Sequence, residues 1–317
     1  MSLSLWIITA TIIWSGSDTM AFITSLPLWS LCLIFILPAL VSWLVFGSRI
    51  GLAGVIIWVG YTLLSTDVLP PLSRTGMEYY KMPPSPDNKQ IRILTLYGSC
   101  VEKPPIEQIN KLHADIIFLQ GCSNHSRTLK FASSIFGRTA HIKQIGSCAI
   151  ITRNGQMSPA RSITDTDGLI VDWIPENSSL IVRLVNISLE PIEPRFDIYS
   201  PSCWTYAHTI RFLHRKQIQY LFDTLREMSA QNGDHPIILA GNFNAAPQSP
   251  IFAKFGDTFQ DCFTEKGAGY GATFPVDTPM IRLDRVFCTP PMVPERASTI
   301  HIPDTVRRSI LTDISLP

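Results

Sequence analysis

The sequence predicts an α/β (α+β) fold in which a two-sheet β-sandwich is flanked by helices and preceded by N-terminal transmembrane helices. Segments with strand-like patterns outnumber helical patterns between residues 88 and 317, and a long amphipathic stretch separates two groups of them. Residues 1–69, by contrast, hold only three ionised side chains, Asp18, Arg49 and Asp67. The 317-residue chain is therefore expected to combine a membrane region with one domain large enough to bury a full core.

The N-terminal region contains three apolar stretches, at residues 3–14, 21–46 and 50–64. A membrane-spanning helix needs about 20 mostly apolar residues, so the second and third stretches are predicted to span the membrane. The first stretch is shorter, so the expected number of spans is two or three. A cleaved signal peptide is disfavoured because no basic residue precedes Arg49. The positive-inside rule places Arg49 in the cytoplasm and the later domain on the other side. Residues 70–87 are rich in proline and predict a semi-rigid linker.

The periodicity of residues 88–317 predicts strands and helices in mixed order. The predicted strands lie at residues 91–96, 115–119, 147–151, 180–189, 237–240, 282–288 and 309–315, and the predicted helices at 106–113 and 209–229. The longer helix has apolar side chains on one face, which indicates that it packs on a sheet.

Charge and cysteine content exclude several classes of function. The net charge is +1 and no basic stripe occurs, so a nucleic-acid partner is not favoured, whereas a phosphorylated small molecule remains open. The seven cysteines include no Cys-x-x-Cys pair, which argues against a zinc knuckle or a thioredoxin-type motif. They are expected to be buried thiols, or to form one or two disulfides if the domain lies outside the cytoplasm.

Eight short segments follow one another at workable spacing along residues 91–316. They are IRILT at 91–95, ADIIFLQ at 114–120, GSCAIITR at 146–153, LVNISL at 184–189, a helix carrying Arg215 and Gln217, ILAGNFNA at 238–245, TFP at 273–275 with RLDRVF at 282–287, and ILTDISL at 310–316. In this order they resemble the endonuclease/exonuclease/phosphatase family, whose fold is a helix-flanked two-sheet sandwich. The resemblance covers about residues 88–317, and membrane-anchored members are familiar in this family.

The resemblance implies hydrolysis of phosphate esters with Mg²⁺, a hard ion that is held by carboxylates, waters and substrate oxygens. It places the family's opening Asn at Tyr97, its metal-binding Glu at Gly121, a His at Ser188, the catalytic Asp at Asn242, and a late Asp and His at about Val306 and Arg307, while Asn244 and Asp284 keep the family's residue types. Three carboxylates and two imidazoles are thus replaced. Because each catalytic group contributes about 10²–10⁴-fold in rate, the family's reaction is expected to be lost.

Two of these positions allow alternative interpretations. Asp284 is expected either to pair with Arg307, since an unpaired buried carboxylate would be costly, or to lie apart from an Arg307 that points to solvent. Asn244 is expected to shape a turn through its backbone contacts, with retained ligand contact as the alternative. No metal ligand is predicted firmly, and Mg²⁺ is expected only if the protein is active.

Three functions follow as hypotheses. The first is a catalytically degenerate protein that binds or scaffolds an unidentified protein or phosphorylated small molecule at the cell envelope. The second is an active metal-dependent phosphodiesterase or phosphatase with a site rebuilt from other carboxylates. The residues to inspect for that site are Asp257, Asp261, Asp277 and Asp304. The third is a sensor that binds a phosphoryl ligand through Arg307 or Arg308.

Overall fold

The computed structural model describes residues 21–22, 28–65, 74, 90–98, 105–176, 178–193, 195, 197 and 199–317. The predicted apolar stretch at 3–14, the linker at 70–87 apart from Arg74, and Cys100 lie outside the described residues. The six cysteines within the described part are free thiols.

Two mixed sheets form the core of the domain. Sheet 1 has the order β11-β13-β14-β1-β2-β4-β3, built from β1 (Gln90–Tyr97), β2 (Ile116–Gln120), β3 (His141–Ile145), β4 (Cys148–Thr152), β11 (Gly267–Ala268), β13 (Val293–Ile300) and β14 (Ser309–Ser315). Sheet 2 has the order β10-β12-β9-β8-β7-β5, built from β5 (Gln156–Met157), β7 (Thr166–Ile174), β8 (Val182–Ser188), β9 (Ile237–Asn242), β10 (Gln260–Asp261) and β12 (Asp284–Cys288), with β6 (Arg161–Ile163) paired to β7.

The sheets pack face to face and helices cover their outer faces. Side chains fully buried between the sheets include Ile93, Ile116 and Ile150 from sheet 1 and Val171, Leu184 and Ile238 from sheet 2. The helices are α1 (Leu28–Phe46), α2 (Arg49–Ser65), α3 (Ile106–Lys111), α4 (His125–Phe136), α5 (Pro201–Asn232) and α6 (Cys262–Lys266). Helices α3 and α4 cover sheet 1, and α5 covers sheet 2. The predicted helix-flanked, two-sheet fold is confirmed.

Helix α5 begins eight residues before the predicted start at 209. The Ser200 hydroxyl accepts a hydrogen bond from the Ser202 amide, and Pro201 occupies the first turn, so the helix begins with a regular cap. These first turns escaped prediction because they do not pack on the sheet. Trp204 instead packs against Phe22, with the two rings tilted by 52° and their centroids 5.3 Å apart.

Helices α1 and α2 form a tight antiparallel hairpin. Gly47 ends α1 in a left-handed conformation, and its amide donates to the Trp43 carbonyl oxygen at 2.9 Å. The Ser48 hydroxyl then caps α2 by accepting from the Gly51 amide at 3.2 Å. The hairpin exposes many large apolar side chains: Leu33, Ile34, Leu37, Val41, Leu44, Val45, Phe46, Ile50, Ile56, Ile57 and Val59. Within the described part of the chain, no helix combines the length and the apolar character that a membrane crossing requires.

His214 ties α5 to the chain that leaves β8. Its Nε2 atom lies 2.7 Å from the carbonyl oxygen of Glu190, so this nitrogen carries a proton and donates. Burial, together with the nearby Arg211 guanidinium, lowers the pKa of His214 to about 4, although the bond to Glu190 acts in the opposite direction.

This histidine is expected to make folding stability depend on pH. The unfolded chain takes up a proton on His214 near pH 6.5 and the folded protein only near 4, so stability is complete above about 6.5 and falls as the pH drops towards 4. The loss reaches about 3 kcal/mol. Urea unfolding of the full chain at pH 7.5, 6 and 5 measures it. His214→Gln, which keeps a donor for Glu190, should flatten this pH dependence, whereas the exposed His301→Gln should leave it unchanged. Equal slopes in both variants would contradict the assignment.

Candidate functional site

The sequence-predicted site residues lie together at one end of the sandwich. Strands β1 and β2 are parallel, as are β8 and β9, so the carboxyl ends of all four strands meet there. The strand register sets Ser188, Asn242 and Asp284 side by side across sheet 2. Tyr97 lies at the end of β1 in sheet 1, so the fold brings both groups of residues to one cleft.

Arg307 lies at the centre of this cleft. Its Nη1 atom donates to Asn242 Oδ1 at 2.8 Å and its Nη2 atom to Asn244 Oδ1 at 2.9 Å. The guanidinium carbon is 4.8 Å from the ring centroid of Tyr97 and 5.3 Å from that of Phe274. The side chain is only 10% exposed, so the alternative that it points to solvent is wrong. We call Tyr97, Asn242, Asn244, Asp284 and Arg307 the arginine cluster.

Asp284 is the carboxylate of the arginine cluster. Its Oδ2 atom lies 3.9 Å from Arg307 Nη1, within ion-pair distance but too far for a hydrogen bond. No described residue donates a hydrogen bond to this buried oxygen. Burial raises the pKa of Asp284, while the Arg307 guanidinium and a hydrogen bond with Thr273 act in the opposite direction. The predicted pairing is therefore present as a contact between charges, and the hydrogen bonds of Arg307 go to the two asparagines.

Asn244 shapes the turn after β9. Its φ of 48° is left-handed, a conformation that asparagine tolerates better than most residues. Its amide Nδ2 donates to the Leu189 carbonyl oxygen at 2.7 Å, and its backbone amide donates to Asn242 Oδ1 at 3.1 Å. Its Oδ1 atom, which would serve as a metal ligand, accepts from Arg307 instead.

The Tyr97 ring occupies the space into which a side chain at position 121 would extend. Gly121 has a φ of +74°, and a Cβ atom built on it would lie 3.1 Å from Cζ of Tyr97. The Tyr97 ring thus packs on Gly121 and also contacts the Arg307 guanidinium. A carboxylate side chain at position 121 would have to displace this ring.

Gly121→Ala is expected to destabilise the protein by about 1–2 kcal/mol, because alanine is strained at positive φ and its methyl group meets the Tyr97 ring. Gly137→Ala is the matched control, since Gly137 has a φ of +66° with no atom within 4 Å of its would-be Cβ. Urea unfolding of both variants separates the two costs. If both lose the same stability, the Tyr97 ring does not restrict this position.

A buried amide pair joins the two sheets behind the cleft. Gln120 Nε2 donates to Asn186 Oδ1 at 2.7 Å, and Asn186 Nδ2 donates to the carbonyl oxygens of Leu119 and Ala149 at 2.9 and 2.8 Å. Neither side chain was predicted from the sequence to take part in the site. Two amides inside otherwise apolar strand segments were the available signal, because a buried polar group has to find a partner.

The carboxylates considered for a rebuilt site have other positions. Asp261 accepts from Arg282 at 2.8 Å and from Arg285 at 2.6 Å, and it caps α6. Asp257, Asp277 and Asp304 are exposed. Among the described residues, no group of three or more His, Cys, Asp or Glu side chains is arranged to hold a metal ion.

The residues of the arginine cluster do not fit a divalent metal ion. Mg²⁺ requires near-octahedral oxygen ligands and is usually bound through carboxylates. The cluster offers one carboxylate and two amide oxygens, and both amide oxygens already accept from a guanidinium that carries a permanent positive charge. A divalent ion placed here would compete with a cation that belongs to the chain itself.

The chain matches a known protein family over more than half of its length. Residues 106–311, more than half of the chain, match the sequence model of the Endonuclease/Exonuclease/phosphatase family. No curated protein sequence matches the chain.

Solved structures share the fold at low sequence identity. A family member from Bacteroides vulgatus has a TM-score of 0.57 and 12% identity, over 72% of this chain and 99% of that one. The mannosyl-6-phosphatase of Bacteroides thetaiotaomicron has 0.56 and 11%, over 71% and 100%. The TDP2 protein of D. rerio, in complex with a single-strand DNA product, has 0.52 and 13%, over 72% and 100%. At these identities the likeness concerns the fold alone.

Proposed function

Since the chain belongs to the endonuclease/exonuclease/phosphatase family, we propose that it is a membrane-tethered member that binds or scaffolds at the cell envelope instead of hydrolysing phosphate esters. The observation that carries this proposal is the position of Arg307, whose two terminal nitrogens bond to Asn242 and Asn244 beside Asp284. The residue at the centre of the cleft is thus a fixed cation of the chain.

The chemistry of the arginine cluster supports loss of hydrolysis. Asn242 has nearly the shape of an aspartate but no negative charge, so it cannot take a proton from water. Arg307 carries no acceptor and keeps its proton at all physiological pH values, so it cannot act as a general base. Asp284 remains, but it is buried, and its Oδ2 atom lies 3.9 Å from Arg307 Nη1. The guanidinium would compete with any metal ion that could activate water here.

The hairpin supports the membrane tether. Its two helices expose eleven large apolar side chains in addition to Trp43, far more than the single surface residues usual for soluble proteins. Arg49 lies at the tip of the hairpin, at the start of α2. Under the positive-inside rule the tip faces the cytoplasm and the domain faces the non-cytoplasmic side.

The tether is tested by alkaline carbonate extraction of membranes that contain the full chain. We expect the wild-type protein to stay with the membrane. Leu44→Asp combined with Ile56→Asp places charges on the apolar surface of the hairpin and should release it, whereas Leu213→Asp on α5 should not. Release of the wild-type protein would remove the tether from the proposal.

The loss of hydrolysis is tested on the full chain in detergent, by calorimetric titration with Mg²⁺ and Mn²⁺ and by turnover of bis-p-nitrophenyl phosphate. We expect neither binding at the cleft nor turnover. Metal binding with turnover that falls in Asp284→Asn, but not in the exposed Asp223→Asn, would instead support an active phosphodiesterase with a rebuilt site.

A further inference from the structure

Helix α5 projects beyond the end of the sandwich that holds the arginine cluster. At the level of the sheet end, its Gln217 donates to the carbonyl oxygen of Asp165, and its His214 bonds to Glu190, which follows β8. The helix starts at Pro201, thirteen residues earlier than His214. At 1.5 Å per residue, this overhang extends about 20 Å past the sheet. We call residues 201–213 the α5 overhang.

Ala21 and Phe22, which precede the hairpin in the chain, lie against this same end. Phe22 packs on Trp204 of the α5 overhang, and Arg211 Nη2 donates to the carbonyl oxygen of Ala21 at 2.9 Å. Trp29, in the first turn of α1, donates from Nε1 to the carbonyl oxygen of Met280 at 3.2 Å. Ala21 and Phe22 therefore contact the overhang, and Trp29 at the base of the hairpin contacts the loop before β12.

Two contacts made by this loop link the hairpin to the arginine cluster. The Met280 amide donates to the carbonyl oxygen of Phe274 at 2.8 Å, and the Phe274 ring packs on the Arg307 guanidinium. The cleft is consequently close to the base of the hairpin. Residues 178–181, just before β8, lie at the opposite end of sheet 2, because Trp173 pairs with Val182 there.

The exposed face of α5 near this end mixes aromatic, apolar and basic side chains. His208, Phe212 and Lys216 follow one another at four-residue spacing on the exposed face, and Leu213 is also exposed. The Lys216 ammonium lies 5.1 Å from the Phe212 ring centroid. Tyr199, just before the helix, is 95% exposed. Tyrosine is enriched at the interface between membrane and water, where its amphipathic ring lies at the level of the headgroups.

We infer that the end of the domain with the arginine cluster faces the bilayer, and that the tip of the α5 overhang, with Tyr199, rests on the lipid headgroups. The inference depends on the membrane tether proposed above, because the hairpin fixes which end of the domain is next to the bilayer. The Tyr199 side chain, which is almost fully exposed at this tip, supplies the amphipathic contact with the headgroups. A partner of the cleft would thus be bound at the membrane surface.

The orientation is tested with the full chain in liposomes that contain anionic phosphatidylglycerol and a lipid with a nitroxide on its headgroup. Fluorophores are attached in a Cys100→Ser background at Tyr199→Cys, next to the overhang, and at Ser178→Cys, at the opposite end. The six described native cysteines are buried and should not react. We expect the headgroup nitroxide to quench the label at position 199 and to leave the label at 178 bright.

The two proposals fail in different ways. If carbonate releases the chain from the liposomes, the tether itself is wrong. If the chain is retained but position 178 is quenched as strongly as position 199 or more strongly, the tether stands and the inferred orientation is overturned.

Discussion

Asp313→Ala is expected to lower the free energy of unfolding by about 3–5 kcal/mol, the largest effect predicted for a single side chain of this domain. The Arg92 guanidinium, only 1% exposed, donates from Nε and Nη2 to the two carboxylate oxygens of Asp313 at 2.6 and 2.9 Å. Its Nη1 atom donates to the carbonyl oxygen of Leu112 at 3.1 Å. The variant would leave a buried cation without its carboxylate, and this uncompensated charge accounts for most of the cost.

Urea unfolding of the full chain in detergent, followed by tryptophan fluorescence, measures this loss. The matched control is Asp223→Ala, which removes an ion pair with an Arg226 side chain that is 80% exposed. Exposed pairs contribute about 0–1 kcal/mol, so this variant should unfold almost as the parent does. A similar small change in Asp313→Ala would show that the Arg92 pair does not hold β1 and β14 together.

Arg307→Ala is expected to cost about 2–4 kcal/mol. Asn244 Oδ1 would lose its donor, and Asp284 would lose the nearest cation while remaining buried. The Tyr97 and Phe274 rings would also lose the guanidinium that packs on both of them. The pKa of Asp284, already raised by burial, should rise further, because Arg307 is the charge that lowers it.

Two further variants separate the charge effect from lost packing. Arg308→Ala removes a neighbouring arginine whose Nε atom donates to the Val276 carbonyl oxygen, and it should cost less because it isolates no buried carboxylate. Asp284→Asn in the Arg307→Ala background should recover part of the stability, which a double-mutant cycle measures as coupling. No recovery would mean that the contact between Arg307 and Asp284 contributes nothing to folding.

Much of the site was accessible from strand patterns and motif order. The patterns at residues 237–240 and 282–288 predicted two strands, and the antiparallel register sets Asn242 and Asp284 opposite each other. A pattern with a period of two residues identifies a strand and the direction of its side chains, because both depend on neighbours in the chain. The order of the motifs likewise predicted that Tyr97, Asn244 and Arg307 belong to the same site.

Arg307 illustrates what could not be predicted in this way. It lies in an irregular segment between β13 and β14, and its partners Asn242 and Asn244 are 65 and 63 residues earlier in the chain. From the sequence alone, Arg307 could either face solvent or pair with Asp284. The amide bridge between Gln120 and Asn186 is similar, since its partners are 66 residues apart and belong to different sheets.

The amino-acid sequence alone was sufficient for the helix-flanked sandwich, the order of most of its strands along the chain, the apolar character of the N-terminal region and the residues that meet in the cleft. These properties follow from local periodicity, residue chemistry and the order of the motifs. The tertiary structure decided that Arg307 turns inward as the cation of the cleft, that Tyr97 packs on Gly121, and that the α5 overhang contacts Ala21 and Phe22. Such contacts join side chains far apart in the chain, and their geometry is set only when the sheets and helices pack.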